Sequence, residues 1–177
     1  AKTDRGKVAL AKLLKETVVL VDGGKTPSLE ELQPLRTFGW VFTPQERDML
    51  QAWIEALREA KQPGAAVLVS SVVARVGVAN HEAIAAAKGG IEALARSAAA
   101  TYAPLGLRIN VVAPGMTDTP MTANMLRADA MREGAGKQYP LGGLQTATQV
   151  ADTMAWLLSE QASRITGQVI AVDGGFT

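Results

Sequence analysis

The sequence predicts an α/β fold in which a parallel sheet is covered by helices on both faces. Three observations carry this. Short β-rich runs alternate with helical runs along the 177 residues. Several strand candidates are continuously apolar, as strands buried on both faces are. The helices between them have legible ends, written in capping boxes, prolines and glycines. With 47% hydrophobic residues there is material for one sizeable core, and no linker or repeat interrupts it, so residues 1–177 read as a single domain.

Taken in order, residues 7–16 read most plainly as one amphipathic helix, and residues 17–22 (TVVLVD) as the first strand, closed by a Gly23-Gly24 turn. Ser28-Leu29-Glu30-Glu31 opens a helix that Pro34 cuts short, and residues 39–42 (GWVF) form the next strand. Thr43-Pro44-Gln45-Glu46 is a capping box with proline at the first helical position. Met49, Leu50, Trp53, Ile54 and Leu57 then recur at helical spacing until Gln62-Pro63-Gly64 stops the run. Residues 66–71 (AVLVSS) form a strand. The longest helix is predicted from Asn80, as N-cap, to about Tyr102, and its alanine density lets another helix approach closely. Residues 107–113 (LRINVVA) and 168–173 (QVIAVD) complete the strands. Thr146-Ala147-Thr148-Gln149 caps a helix carrying Val150, Met154, Leu157 and Leu158. Residues 116–143 hold four of the six methionines (Met116, Met121, Met125, Met131) and end rich in Gly and Pro. They read either as an adaptable lid or contact surface, or as methionines filling core gaps.

Composition removes several function classes. Eighteen basic against 17 acidic side chains, with no basic run, leave no electrostatic footprint for nucleic acid or anionic lipid. No apolar stretch is long enough to span a membrane, and the first residues lack a hydrophobic signal core, so a soluble cytoplasmic protein is expected. There is no cysteine and one histidine, His81, which excludes disulfides and thiolate chemistry and disfavours a metal site or a Ser-His-Asp triad.

From residue 65 onward a series of motifs occurs in a fixed order. A strand ends in Ser70-Ser71, the alanine-rich helix carries Lys88, and the next strand runs through Arg108-Ile109-Asn110 into Pro114-Gly115. Thr119 follows four residues after that glycine, and the chain closes on Val172-Asp173-Gly174-Gly175. This series resembles the C-terminal half of a short-chain dehydrogenase/reductase. The resemblance implies a truncated Rossmann-like domain, with residues 1–64 a reduced dinucleotide-binding part and 65–177 the C-terminal half. In that family a serine, a tyrosine and a lysine do the chemistry, the last two as Tyr-x-x-x-Lys. Residues four apart share a helix face, so the lysine can lower the phenol's pKa and hold the cofactor ribose. Ser71 matches the serine and Lys88 the lysine, but the tyrosine position is Ile84.

The N-terminal side departs further. Neither Thr-Gly-x-x-x-Gly-x-Gly nor Gly-x-Gly-x-x-Gly occurs, so the turn that brings pyrophosphate to a helix N-terminus is missing. The family's Asn-Asn-Ala-Gly segment has no counterpart. Four crossovers of roughly 30 residues each should precede the serine strand, yet Ser71 is reached after 70 residues. Asp22 matches the residue that bonds the adenine ribose in NAD-specific relatives, or is merely a strand-end residue.

The resemblance therefore implies a pseudoenzyme subunit. Ser71 and Lys88 are expected to be vestigial, as are the cofactor-facing Asp22, Pro114, Gly115 and Thr119, with no cofactor bound by this chain. NAD(P) is expected in a catalytically active paralogue, of the hydroxyacyl-CoA or alcohol dehydrogenase or ketoreductase kind, joined in a heterotetramer. Residues 44–61 with 80–102, and 148–160 with 168–175, match the family's two assembly surfaces. Groups that could replace the phenol are His81, one turn earlier on the same helix, and Tyr102 and Tyr139, which are distant in sequence. Against retained chemistry, Ser71 reads as a strand-end hydroxyl bonding backbone, Lys88 as a snorkelling surface cation and His81 as a helix-start cap. Two alternatives stay open: a weakly active oxidoreductase using Ser71, Lys88 and Thr119, and a ligand-binding scaffold closed by the methionine-rich segment.

Overall fold

The computed structural model describes residues 18–22 and 44–177, with side chains from residue 50 onward. The elements are β1 (Val18–Asp22), α1 (Pro44–Ala60), β2 (Gly64–Val69), α2 (Glu82–Tyr102), β3 (Leu107–Pro114), β4 (Thr117–Asp118), α3 (Asp129–Gly136), β5 (Gln145–Thr146), α4 (Ala147–Leu158) and β6 (Val169–Val172). The helices read at residues 7–16 and 28–34, the strand at 39–42 and the Thr43 cap lie outside the described residues.

Among the described residues the main sheet runs β1-β2-β3-β6. β2 pairs with β3 and β3 with β6 in parallel. The period-2 pattern of β2 sends Ala66 and Leu68 to one face and Ala65, Val67 and Val69 to the other. On the first face they meet Leu50, Ile54 and Leu57 of α1 and Ile91, Ala95 and Ala98 of α2. On the second they meet Val150, Met154, Leu157 and Leu158 of α4. The predicted architecture, a parallel sheet flanked on both faces, is the observed one. β1 differs from it: it pairs antiparallel to β2, Val18 opposite Leu68 and Asp22 opposite Gly64. Alternation and apolarity specify a strand and not its direction, so neither signal marks β1 as antiparallel.

The caps follow their sequence signals unevenly. At α4 the capping box forms in full, Gln149 N–H donating to Thr146 Oγ1 at 3.2 Å and Thr146 N–H to Gln149 Oε1 at 2.8 Å. At α2 the expected Asn80 cap does not form. Asn80 takes a left-handed conformation, φ 62°, which asparagine tolerates better than other side chains, and His81 stands at the N-cap position. Its imidazole makes no capping bond and instead lies 2.8 Å from the Ala79 carbonyl.

Two side chains of β3 fasten the far end of the sheet. Arg108 donates through Nη1 to Leu157 O at 2.7 Å and Ile165 O at 3.4 Å, and through Nη2 to Leu158 O at 3.3 Å and Ser159 O at 3.1 Å. It thereby satisfies carbonyls that the end of α4 leaves without intrahelical donors. Asn110 donates to Ile165 O at 2.9 Å and accepts from Gln168 N–H at 3.1 Å, which sets the approach to β6.

Candidate functional site

In open α/β sheets the carboxyl ends of parallel strands carry the site. Here β2 ends into Ser70 and Ser71, β3 into Pro114 and Gly115, and β6 into Asp173. Ser71 heads a short turn over Val72–Ala74, where its Oγ accepts the Val73 N–H at 3.4 Å. That is the strand-end hydroxyl bonding backbone that the sequence allowed.

Lys88 is not a surface cation: the residue is 3% exposed, and its Nζ donates to the Val69 carbonyl at 3.0 Å. The α2 face that carries it packs on β2, so the stem is covered on its way to the strand end. Ser70 Oγ bonds the Lys88 carbonyl at 3.2 Å and Glu92 Oε1 at 3.0 Å. Glu92, itself buried, faces Arg75 at 3.7 Å and Arg96 at 3.8 Å. Sequence reading missed this cluster; a glutamate one turn after Lys88 and four residues before Arg96 was the available signal. Ile84 is half-buried on α2, roughly 6 Å of helix rise before Lys88.

Pro114 is buried and Gly115 is required by close packing. A Cβ at position 115 would stand 2.7 Å from Gln145 Oε1 and 2.8 Å from Tyr139 Cε1. Gln145 Oε1 is buried without a hydrogen-bond partner. Thr119, 7% exposed, turns inward: its N–H donates to Thr122 Oγ1 at 3.1 Å and the two hydroxyls are 3.3 Å apart. Thr122 Oγ1 also lies 2.6 Å from Thr117 O. Asp22 sits elsewhere. Paired with Gly64 at the amino end of β2, it is roughly 20 Å along the strand from Ser71.

The three groups weighed as substitutes for the phenol lie as follows. Tyr102 ends α2, about 20 Å of helix rise beyond Lys88. His81 precedes the helix and bonds Ala79. Tyr139 is buried, and its hydroxyl accepts the Met116 N–H at 2.7 Å. Burial pushes its phenol up from the usual range, aided by the nearby Asp173 and opposed by the Met116 hydrogen bond, so it is a poorer acid than a free tyrosine.

Asp173, just after β6, ties down the turn that follows it. Burial alone would raise its pKa, but the Thr177 hydroxyl at 2.7 Å, the Gly175 N–H at 3.0 Å and the Thr177 N–H at 2.9 Å hold the carboxyl below the usual range. A depressed folded-state pKa contributes stability that is present above the unfolded value and lost as pH falls through the folded one, here below about pH 4. Asp173→Asn is expected to cost about 1.5–3 kcal/mol at pH 7 and to flatten the acid limb of stability against pH, read by urea unfolding. An unchanged acid limb would contradict the assignment.

Among the described residues no group of three His, Asp or Glu side chains could hold a metal ion. No helix there is long and apolar enough to cross a membrane.

Comparison with known proteins agrees with this geometry. Residues 48–177 match the family described as enoyl-(acyl carrier protein) reductase. The chain is 48% identical over 114 residues to the cis-4-hydroxycyclohexanecarboxylate dehydrogenase of Sinomonas cyclohexanicum, covering 64% of this chain and 45% of that protein. It is 40% identical over 121 residues to the inactive 2-(S)-hydroxypropyl-CoM dehydrogenase 2 of Xanthobacter autotrophicus, covering 66% of this chain and 53% of that one. An oxidoreductase of Burkholderia thailandensis, solved by crystallography, superposes with a TM-score of 0.65 at 35% identity, over 72% of this chain and 49% of that chain. The chain thus spans about half the length of the relatives it matches. With the strand-end serine, the α2 lysine and the Pro-Gly turn in family order, and most of the chain matched, this protein belongs to the short-chain dehydrogenase/reductase family of oxidoreductases.

Proposed function

We propose that this chain is a non-catalytic subunit that assembles with a catalytically active, NAD(P)-dependent paralogue and supports that partner's structure and activity. Ile84 carries the reading. It stands on α2 one turn before Lys88, inside the segment matched to the family. A general acid/base contributes about 10²–10⁴ in rate, and an alkyl side chain has no proton to exchange.

The surrounding polar atoms support the same reading. Lys88 gives its amine a hydrogen bond to the Val69 carbonyl, Thr119 bonds Thr122, and Ser71 bonds the turn it heads. These groups, with Asp22 at the opposite end of β2, are a poor match for a dinucleotide, so in this reading the partner holds NAD(P). That a relative carries the name of an inactive dehydrogenase is in keeping with non-catalytic members in the family.

Assembly has its own support. Ala83, Ala86, Gly90, Ala93, Ser97 and Ala100 are exposed on α2, three and four residues apart in alternation. This spacing forms a single seam along a helix, and its small side chains allow a second helix to approach closely. Ile91, by contrast, is 3% exposed in the chain's own core, so substitution there tests folding rather than assembly. β6 ends the sheet among the described residues with all four side chains half-covered, which suits the second surface, and a heterotetramer uses both.

The test is a calorimetric titration of NADH and NADPH into the purified chain. No saturable binding is expected up to about 1 mM. A micromolar Kd would overturn the reading in favour of an oxidoreductase with an unorthodox site.

A further inference from the structure

Three polar side chains are buried where α2 packs on the end of β2: Ser70, Lys88 and Glu92 are 3%, 3% and 6% exposed. Lys88 and Glu92 lie one turn apart on the helix, and their polar ends meet consecutive strand residues, Nζ at Val69 O and Oε1 at Ser70 Oγ. Ser70 is fixed from two sides. Its N–H donates to Val112 O at 2.8 Å, and its single hydroxyl proton is shared between Glu92 Oε1 and the Lys88 carbonyl. Beyond Ser71 the chain turns through residues 72–74, and the amides of Ala74, Arg75 and Val76 close that turn on Ser71 O and Val72 O. Arg75 stands at its end, and its Nε returns to within 3.7 Å of Glu92 Oε1. Arg96 faces the other carboxylate oxygen at 3.8 Å.

We propose that Glu92 is a positioning residue: one buried carboxylate grips both ends of the turn that Ser71 heads and fixes it to the helix that carries Lys88. Ser70 precedes the turn, Arg75 closes it, and both meet the same oxygen, Oε1. Ser71 Oγ bonds within the turn, to Val73 N–H, so its distance from α2 is set through these neighbours. Burying a carboxylate costs free energy that its partners do little more than offset, and an apolar side chain in its place is often at least as stabilising. What the carboxylate adds is direction, because an oxygen held against both Ser70 and Arg75 allows one placement of the turn between them.

The test is residue-resolved hydrogen–deuterium exchange of the full chain by NMR, comparing wild type with Glu92→Gln, Glu92→Leu and Arg75→Gln. Glu92→Gln keeps an acceptor for Ser70 but loses the charge that holds Arg75. It is expected to speed the amides at 75 and 76 by about two- to five-fold, as Arg75→Gln does, with the Ser70 amide unchanged. Glu92→Leu loses both grips and is expected to speed amides 74–76 by about ten-fold or more, with β3 at wild-type rates. Adding Arg75→Gln to Glu92→Leu should change nothing further, since both remove the same ion pair. Wild-type exchange of the turn in Glu92→Leu would overturn the proposal. So would a rise by one common factor in the turn and in β3, the mark of an ordinary core residue. If Glu92→Leu does not fold, the two glutamine variants decide: equal acceleration at 75 and 76 supports the clamp, and wild-type rates in both overturn it. None of these readouts depends on NAD(P)H binding or on a partner subunit, which are tested separately.

Discussion

Gly90→Arg is expected to release the chain from its partner while leaving its own fold intact. Position 90 lies in the middle of the exposed seam of α2, and a Cβ built there meets nothing within 4 Å. Replacing a mid-helix glycine improves helix propensity by roughly 0.5–1 kcal/mol, so the isolated chain should melt at the same temperature or slightly higher. In a closely packed helix pair the same side chain places a long cation where backbones should approach. That should cost at least about 2 kcal/mol, the scale of an interface hot spot, or some thirty-fold in affinity. The partner's activity should fall with it. Analytical ultracentrifugation of the complex, paired with a melt of the isolated variant, separates the two effects. A variant that still assembles with wild-type affinity would show that this face of α2 is not the interface.

Arg108→Met is expected to produce the largest loss of stability. The guanidinium is partly buried, and its partners are the carbonyls of Leu157, Leu158, Ser159 and Ile165. Burial lowers its pKa and Glu160 opposes that shift, yet an arginine so placed stays charged throughout the accessible pH range. Methionine keeps much of the packing but leaves the end of α4 without donors, so roughly 3 kcal/mol should be lost. For a domain of this size that is about 6–12 °C in Tm. Arg108→Lys should lie between, because a single ammonium cannot reach four carbonyls in a fork. A loss below about 1 kcal/mol in Arg108→Met would mean that water replaces the guanidinium at little cost.

Much of the fold was legible because its signals are local. The Thr146 capping box needs only four consecutive residues, and Val150, Met154, Leu157 and Leu158 mark the buried face of α4 by spacing alone. Ile84 was legible for the same reason, since its meaning depends on a distance of four residues from Lys88. What escaped depends on partners far along the chain. Lys88 snorkels or turns inward according to what covers α2, and its acceptor is a carbonyl 19 residues away. Arg108 reads as a charged residue on a strand until α4 ends beside it, some 50 residues later. The β4–β5 ladder is two residues long on each side, too short for any periodic signal, so this pairing was invisible in a methionine-rich stretch. Asn80 misled because the side chain that suits an N-cap also suits a left-handed turn.

In the function proposed above, the chain works as the silent half of an enzyme complex. Native mass spectrometry of the tagged chain, purified from its own host with every co-purifying polypeptide identified, tests it most directly. The expected result is a stoichiometric partner of the same family that carries a glycine-rich turn and an intact Tyr-x-x-x-Lys. A homo-oligomer of this chain alone would contradict it.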